Sequence, residues 1–151
     1  MKKQVTYGRE NDINMGTNIR PKLSTKNKYW IDKHRYYELK HFCLQYPMWK
    51  KLYLGLDGLV KNSTDVRTNT NVNSDPTSNC AVSRAFYSEK ICMLERCAEQ
   101  ADPELASYIL KAVTEELSYN YLKTKLDIPC SKDTYYDRYR KFFWILHKER
   151  G

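Results

Sequence analysis

The segment Leu117-Ser-Tyr-Asn-Tyr-Leu-Lys-Thr-Lys-Leu126, followed by Asp127-Ile-Pro-Cys130 and Ser131-Lys-Asp-Thr-Tyr-Tyr-Asp-Arg-Tyr-Arg-Lys-Phe-Phe-Trp-Ile-Leu146, decides the fold. Pro129 interrupts two stretches of helical composition, because proline lacks a backbone N–H and fixes φ. Ser131 is a good N-cap for the second stretch, since its hydroxyl accepts from a free backbone N–H. The order of helix, short turn and capped helix predicts a helix-turn-helix unit.

Apolar residues recur along the second stretch at spacings of three and four. At about 100° per residue they fall on one narrow stripe of a helix, which must pack on the helices before it. The predicted stripe consists of Tyr135, Tyr139, Phe142 and Leu146, with Phe143 at its edge. Its predicted packing partners are Leu122, Leu126 and Ile128.

The opposite face of this helix is polar and suits DNA recognition. Arginine bonds guanine in bidentate fashion, and short polar or acidic groups bond other base edges. Lysines before the turn suit phosphates, which position a protein without reading sequence. The polar face carries Asp133, Thr134, Asp137, Arg140, Lys141, Trp144 and Lys148, flanked by Arg138 and Tyr136. The predicted DNA-binding residues are Lys123, Lys125, Lys132, Thr134, Tyr136, Asp137, Arg138, Arg140 and Lys141.

Charge is unevenly distributed along the chain, whose net charge is +8. Residues 119–151 hold 8 basic and 4 acidic side chains, whereas residues 63–118 hold 5 and 9. A basic terminal segment beside an acidic middle is typical of a protein with a polyanionic partner. The alternative is an ordinary amphipathic terminal helix whose charged face is simply solvated. The pair Pro129-Cys130 also makes the turn longer than in the tightest helix-turn-helix units.

The rest of the chain predicts an all-α protein in four parts. Residues 1–28 form a flexible basic arm, and residues 29–60 form an N-terminal helical segment. Residues 61–81, rich in Asn and Thr, form a polar linker or long loop. Residues 82–151 form the helical domain with the helix-turn-helix unit.

Local signals set the expected helix ends. Asp32 is the expected cap of the first helix, and Asp57-Gly58 is expected to close the next. Asp102 is expected to cap a further helix that begins at Pro103. Phe86 is placed on one apolar face with Ile91, Leu94, Cys97, Ala98 and Ala101.

Several function classes are disfavoured by what the sequence lacks. No apolar run approaches the roughly 20 residues of a membrane span, and the N-terminus has no apolar signal-peptide stretch. The five cysteines include no CxxC pair, so free thiols in a reducing compartment are expected, without a metal site. No phosphate loop or hydrolase motif occurs. We therefore expect a cytoplasmic protein that is not an enzyme and has no cofactor.

The pattern Ser131-Lys-Asp-Thr-Tyr-Tyr-Asp-Arg resembles the recognition-helix pattern of RinA/ArpU-like regulators, phage-encoded transcription regulators of late genes in Gram-positive bacteria. The resemblance covers about residues 103–151. It implies a C-terminal domain similar to region 4 of sigma factors, binding to double-stranded promoter DNA, and RNA polymerase as a further partner in a bacterial host cell. The alternatives are a DNA-packaging protein similar to a phage small terminase subunit, and a protein–protein adaptor. Homo-oligomerisation is left open.

Overall fold

The computed structural model describes residues 25–62 and 76–151, with side chains at 25–56 and 78–151, and its regular structure there is entirely α-helical. The all-α prediction is confirmed. The helices are α1 (Lys33–Leu44), α2 (Tyr46–Asn62), α3 (Pro76–Ala101), α4 (Ala106–Glu115), α5 (Tyr119–Lys125) and α6 (Lys132–Arg150). Most of the arm predicted at residues 1–28 lies outside the described residues.

Side-chain caps begin three of these helices. Asp32 caps α1 by accepting from the backbone N–H of His34, and Ser131 caps α6 by accepting from that of Thr134. Both caps confirm predictions. Ser118 caps α5 in the same way. Each such bond satisfies a backbone donor that the helix leaves free and stabilises the helix by about 1 kcal/mol.

The capping bonds at the junction between α3 and α4 lie about one turn before the first residue of α4. Asp102 accepts from the backbone N–H groups of Glu104 and Leu105 at 3.0 and 3.2 Å. The helix begins only at Ala106, so Pro103 stands in a turn and not at its first position. Glu116 then ends α4 in the left-handed region with φ of 55°.

The hydrophobic core lies where α1, α4 and α6 meet the C-terminal half of α3. Its members come from α1 to α6, so the helices before and after the predicted linker share one cluster. Burial of each large apolar side chain contributes about 1.5–3 kcal/mol. The fully buried side chains are Leu39, Cys43, Leu94, Cys97, Ile109, Leu122, Ile128, Tyr135, Phe142, Phe143 and Leu146. The predicted stripe of α6 is confirmed, and Phe143 is buried with it.

Polar and cation–π contacts join α1 to α6 beside this core. The hydroxyls of Tyr36 and Tyr139 form a buried hydrogen bond of 3.0 Å. The ring of Phe42 has Lys90 on α3 at 5.3 Å and the Arg150 guanidinium at 3.8 Å. These cation–π contacts hold the C-terminal end of α6 against α1 and α3.

Helices α2 and α3 form an antiparallel hairpin. Tyr46 donates to Glu95 at 2.7 Å near its base, and Arg84 donates to Tyr53 at 3.2 Å further out. Lys50 pairs with Glu95 at 3.6 Å. The first residues of α2 thus lie beside the middle of α3, and its later residues lie beside the start of α3.

The hairpin differs from the sequence predictions in three ways. The expected stop at Asp57-Gly58 is wrong, because α2 continues to Asn62; a glycine weakens a helix by about 1 kcal/mol but does not end it. The linker predicted at residues 61–81 is overlapped by α3, which begins at Pro76, a residue favoured in the first helical turn. Residues 63–75 lie outside the described residues. Phe86, expected in the core, is 53% exposed.

None of the helices in the described ranges is both long and apolar enough to span a membrane.

Candidate nucleic-acid interface

The turn between α5 and α6 is held closed by its own residues. The Tyr119 hydroxyl donates to the backbone carbonyl of Cys130 at 2.7 Å. The backbone N–H of Ile128 donates to the carbonyl of Leu122 at 3.1 Å. Between them, Asp127 takes a left-handed conformation with φ of 52°. Pro129 and Cys130, which lengthen this turn, therefore lie in a bend closed by hydrogen bonds. Ile128 is buried beneath it.

Aromatic packing seats α5 on the start of α6. The ring of Tyr119 lies 5.6 Å from that of Tyr135 and 6.4 Å from that of Tyr136. Tyr136, predicted to bind DNA, is half-buried in this cluster. Its ring also lies 6.0 Å from the Lys132 ammonium. The ring of Tyr136 thus contributes to the packing that orients the turn.

The outer face of α5 is exposed. Lys123 and Lys125, the predicted phosphate ligands, are both exposed, and Lys123 donates to the carbonyl of Ile128 at 3.4 Å. Sequence reasoning missed two exposed polar neighbours on this face, Asn120 and Thr124. Their spacing of four residues, opposite Leu122, is the signal that could have identified them.

The first turn of α6 is also uncovered. Lys132, Asp133 and Thr134 are exposed, whereas the residues from Tyr135 to His147 are half-buried or buried. The hydroxyl of Thr134 is 3.0 Å from that of Ser131, so the capping residue also fixes the threonine. A helix N-terminus carries partial positive charge.

Three exposed lysines surround this turn: Lys123, Lys125 and Lys132. None forms an ion pair within residues 25–62 and 76–151. Two exposed carboxylates, Asp127 and Asp133, lie among them. The local field is therefore positive but weaker than three lysines alone would produce.

Arg138 is held by carboxylates. Its Nε donates to Asp102 at 3.1 Å, and its Nη1 donates to Asp137 at 3.2 Å. The bond to Asp102 ties α6 to the start of the turn before α4. Asp137 and Arg138, both predicted to bind DNA, thus form an ion pair with each other. The sequence could not show this, because Asp102 lies 36 residues away.

Arg140 and Lys141 differ from the exposed lysines. Both are half-buried, and the Nε atom of Arg140 is shielded from solvent without a hydrogen-bond partner among the described residues. Residues two apart on a helix point about 200° apart. Arg138 and Arg140 therefore leave α6 on opposite flanks, and one groove cannot receive both in the same way.

The C-terminal half of the polar face of α6 is partly covered at Trp144. Tyr29, in the segment before α1, packs its ring edge-on against Trp144 at 5.7 Å. The Lys148 ammonium lies 3.7 Å from the centre of the same indole ring. Among the described residues, the first turn of α6 is therefore more exposed than the stretch from Tyr135 to His147. A helix-turn-helix protein presents the N-terminal residues of this helix to base edges.

Two titratable groups beside this turn have raised pKa values. Burial, and then the Asp102 carboxylate, raise the pKa of the Cys130 thiol. Burial likewise raises the pKa of the Tyr135 hydroxyl, which has no hydrogen-bond partner among the described residues. Both groups are therefore protonated at neutral pH and poor nucleophiles. Across the described ranges no group of three His, Cys, Asp or Glu side chains is arranged to hold a metal ion.

Comparison of the chain with models of known families, with curated proteins and with solved structures finds no match.

Proposed function

We propose that this chain is a sequence-specific DNA-binding transcription regulator, encoded by a phage or prophage and acting on late-gene promoters. The observation that carries the proposal is the exposed first turn of α6 with Lys123, Lys125 and Lys132 around it. Lysines without acidic partners contact DNA phosphates at little cost, because no ion pair has to be broken. RNA polymerase as a second partner rests on the resemblance to RinA/ArpU-like regulators alone.

The roles of the site residues follow from their surroundings. Lys123, Lys125 and Lys132 position the protein on phosphates, and Thr134 faces base edges at the mouth of the groove. Lys141 and the tip of Arg140 reach the flanking backbone or bases further along α6. Arg138 acts as a positioning residue, because its guanidinium is bonded to Asp102 and Asp137.

A charge-removal experiment tests the proposal. The variant with Lys123→Ala, Lys125→Ala and Lys132→Ala is compared with the wild type for binding to a random-sequence pool of double-stranded DNA. Log affinity falls with log salt by about 0.9 per phosphate contact, so the loss of three contacts should make this dependence less steep by almost three. The measurement is a fluorescence anisotropy titration between about 50 and 200 mM salt.

A matched control removes the same charge elsewhere. The variant with Lys33→Ala, Lys51→Ala and Lys111→Ala loses three exposed lysines on α1, α2 and α4. Its salt slope should stay close to that of the wild type. Equal losses in both variants would mean that only net charge matters, and absence of DNA binding by the wild type would contradict the proposal outright.

The Thr134→Ala variant tests sequence reading separately. Base contacts contribute about 1–3 kcal/mol to discrimination and little to the salt slope. DNA sequences selected by the wild type should therefore lose preference at one position when the variant is used, with an unchanged slope. Identical selected sequences would assign Thr134 to helix capping alone.

A further inference from the structure

The segment before α1 forms a turn that lies against the C-terminal half of α6. In this turn the backbone N–H of Trp30 donates to the carbonyl of Asn27 at 3.0 Å, and that of Tyr29 donates to the side-chain oxygen of Asn27 at 2.9 Å. Tyr29 is buried, whereas Lys28 and Trp30 on either side of it are exposed. The turn is therefore anchored by Tyr29 and presents Lys28 to solvent.

An aromatic pair joins this turn to α6 and carries two ammonium groups. The ring of Tyr29 lies edge-on to that of Trp144 at 5.7 Å. The Lys28 ammonium lies 4.8 Å from the centre of the Tyr29 ring, and the Lys148 ammonium lies 3.7 Å from that of the Trp144 ring. Contacts of this kind hold a cation in place and leave its N–H donors available to an anion. Two elements that are remote in sequence thus place their cations on one pair of rings.

The half of α6 that carries Trp144 is rich in cations. Asp137 pairs with Arg138, and Glu149 pairs with Arg96 of α3, so the carboxylates that border this half have basic partners. Between Asp137 and Glu149 the helix has no acidic residue and four basic ones, Arg138, Arg140, Lys141 and Lys148. This half of α6 therefore carries a net positive charge.

The turn before α1 adds positive charge of its own. Residues 25–31 contain two lysines and no acidic residue. The carboxylate that follows, on Asp32, accepts from the backbone N–H of His34 and lies at the N-terminus of α1, whose partial positive charge opposes its own. Across residues 25–62 and 76–151, neither Lys28 nor Lys148 forms an ion pair. The field beside the aromatic pair therefore attracts an anion.

These cations continue the face of α6 that begins at Thr134. At 100° per residue, Lys141 and Lys148 lie within about 40° of Thr134 around the helix axis. Along the axis Lys148 lies about 21 Å from Thr134, at 1.5 Å per residue. The major groove is about 12 Å wide. When the first turn of α6 meets base edges, Lys148 and the turn before α1 therefore lie beyond the groove, beside the sugar–phosphate backbone that borders it.

We propose that Lys28 and Lys148 form a second phosphate-binding surface, which contacts the backbone of the DNA duplex that the first turn of α6 reads. The inference rests on the proposed function and extends it to the segment before α1, which has no role there. Lysines contact phosphates without reading bases, so this surface adds affinity and fixes the angle of α6 in the groove. DNA is favoured over an acidic protein because the surface continues the face of α6 on which Thr134 lies.

The variant with Lys28→Gln and Lys148→Gln tests the inference, because glutamine keeps part of the side-chain stem and removes the charge. Binding of the full chain to a labelled random-sequence pool of double-stranded DNA is followed by fluorescence anisotropy between about 50 and 200 mM salt. Log affinity falls with log salt by about 0.9 per phosphate contact, so this dependence should become less steep by almost two. The DNA sequences that the variant selects should match those of the wild type, because phosphate contacts carry no sequence information.

Two further variants separate charge from packing. Lys28→Arg with Lys148→Arg keeps both cations and should retain the salt dependence of the wild type. Lys51→Gln with Lys111→Gln removes the same charge from exposed positions on α2 and α4 and should also leave that dependence unchanged. Circular dichroism should show the same helix content in all of these proteins.

The possible outcomes separate this inference from the proposed function. A wild type that binds no DNA overturns both. If the glutamine variant at Lys28 and Lys148 keeps the full salt dependence while removal of Lys123, Lys125 and Lys132 reduces it, the inference alone is wrong. Equal losses in the two glutamine variants would show an effect of net charge and overturn it as well. Unchanged DNA binding with lost retention by poly-glutamate would assign the surface to an acidic protein and likewise contradict the inference.

Discussion

The two halves of α3 have the same secondary structure and different surroundings. Residues 91–101 include five buried side chains packed against α1, α4 and α6, whereas none of the described side chains at residues 78–90 is buried. The comparison teaches that helix formation and packing are separate requirements. The C-terminal half packs against several helices, whereas the described hydrogen bonds from the N-terminal half to another helix are with α2.

The largest expected effect contrasts two phenylalanines. Phe142 is fully buried, so Phe142→Ala should lower the free energy of unfolding by about 3–5 kcal/mol. Phe86 is half-exposed, and Phe86→Ala should cost less than about 1 kcal/mol. Urea denaturation followed by circular dichroism measures both. Similar losses for the two variants would erase the proposed difference between the regions.

A smaller effect contrasts two tyrosine hydroxyls. Tyr139→Phe removes the buried bond to Tyr36 and leaves that hydroxyl unsatisfied, which should cost about 1–2 kcal/mol. Tyr53→Phe removes a partly exposed bond to Arg84 and should cost less than about 0.5 kcal/mol, because water replaces the partner. Thermal unfolding of both variants and of the wild type measures these losses of stability. A Tyr53 change as costly as the Tyr139 change would show that the outer hairpin is as tightly organised as the core.

The smallest expected effect is the response of buried Cys97 to alkali. Burial, and then the Glu149 carboxylate, raise the pKa of its thiol from 9.0 to about 12. The unfolded chain therefore loses this proton first, so the stability is fully present below about pH 9 and falls as the pH rises toward 12.

At pH 10 this one thiol should account for about 1 kcal/mol of lost stability. Urea denaturation between pH 7 and pH 10 under reducing conditions is the measurement, with Cys97→Ala compared with the wild type. The variant should lose about 1 kcal/mol less over this range. Parallel curves for the two proteins would mean that the thiolate is as well accommodated in the C-terminal half of α3 as in water.

Local patterns in the sequence predicted the bundle well. The stripe on α6 was predicted by spacing alone, because Tyr135, Tyr139 and Phe142 recur every three or four residues. Such a stripe must pack on the neighbouring helices to leave water. The caps at Asp32 and Ser131 depend only on neighbouring backbone groups. Such features need no knowledge of distant partners.

Two features that the sequence did not predict, the exposure of Phe86 and the bond of Arg138 to Asp102, have a common physical cause. Phe86 has a large apolar side chain of the kind found in cores, but the helices that bury residues 91–101 do not extend beside it. Arg138 carries a guanidinium of the kind that can bond bases, and here its Nε atom donates to Asp102. In both cases the deciding neighbour is remote in sequence, so periodicity cannot reveal it. The exposure of Lys123, Lys125 and Lys132, in contrast, was predictable from their spacing against Leu122 and Tyr135.

The closed turn between α5 and α6 has a consequence for the kinetics of association. Tyr119, Ser131 and Ile128 fix its backbone before any partner arrives. A ligand that docks here meets a preorganised surface and loses little affinity to ordering of the loop. Association should then proceed at a rate set by diffusion and by the field of the three lysines, without a slow conformational step. Stopped-flow traces of binding should accordingly be single-exponential, with observed rates that rise linearly with ligand concentration.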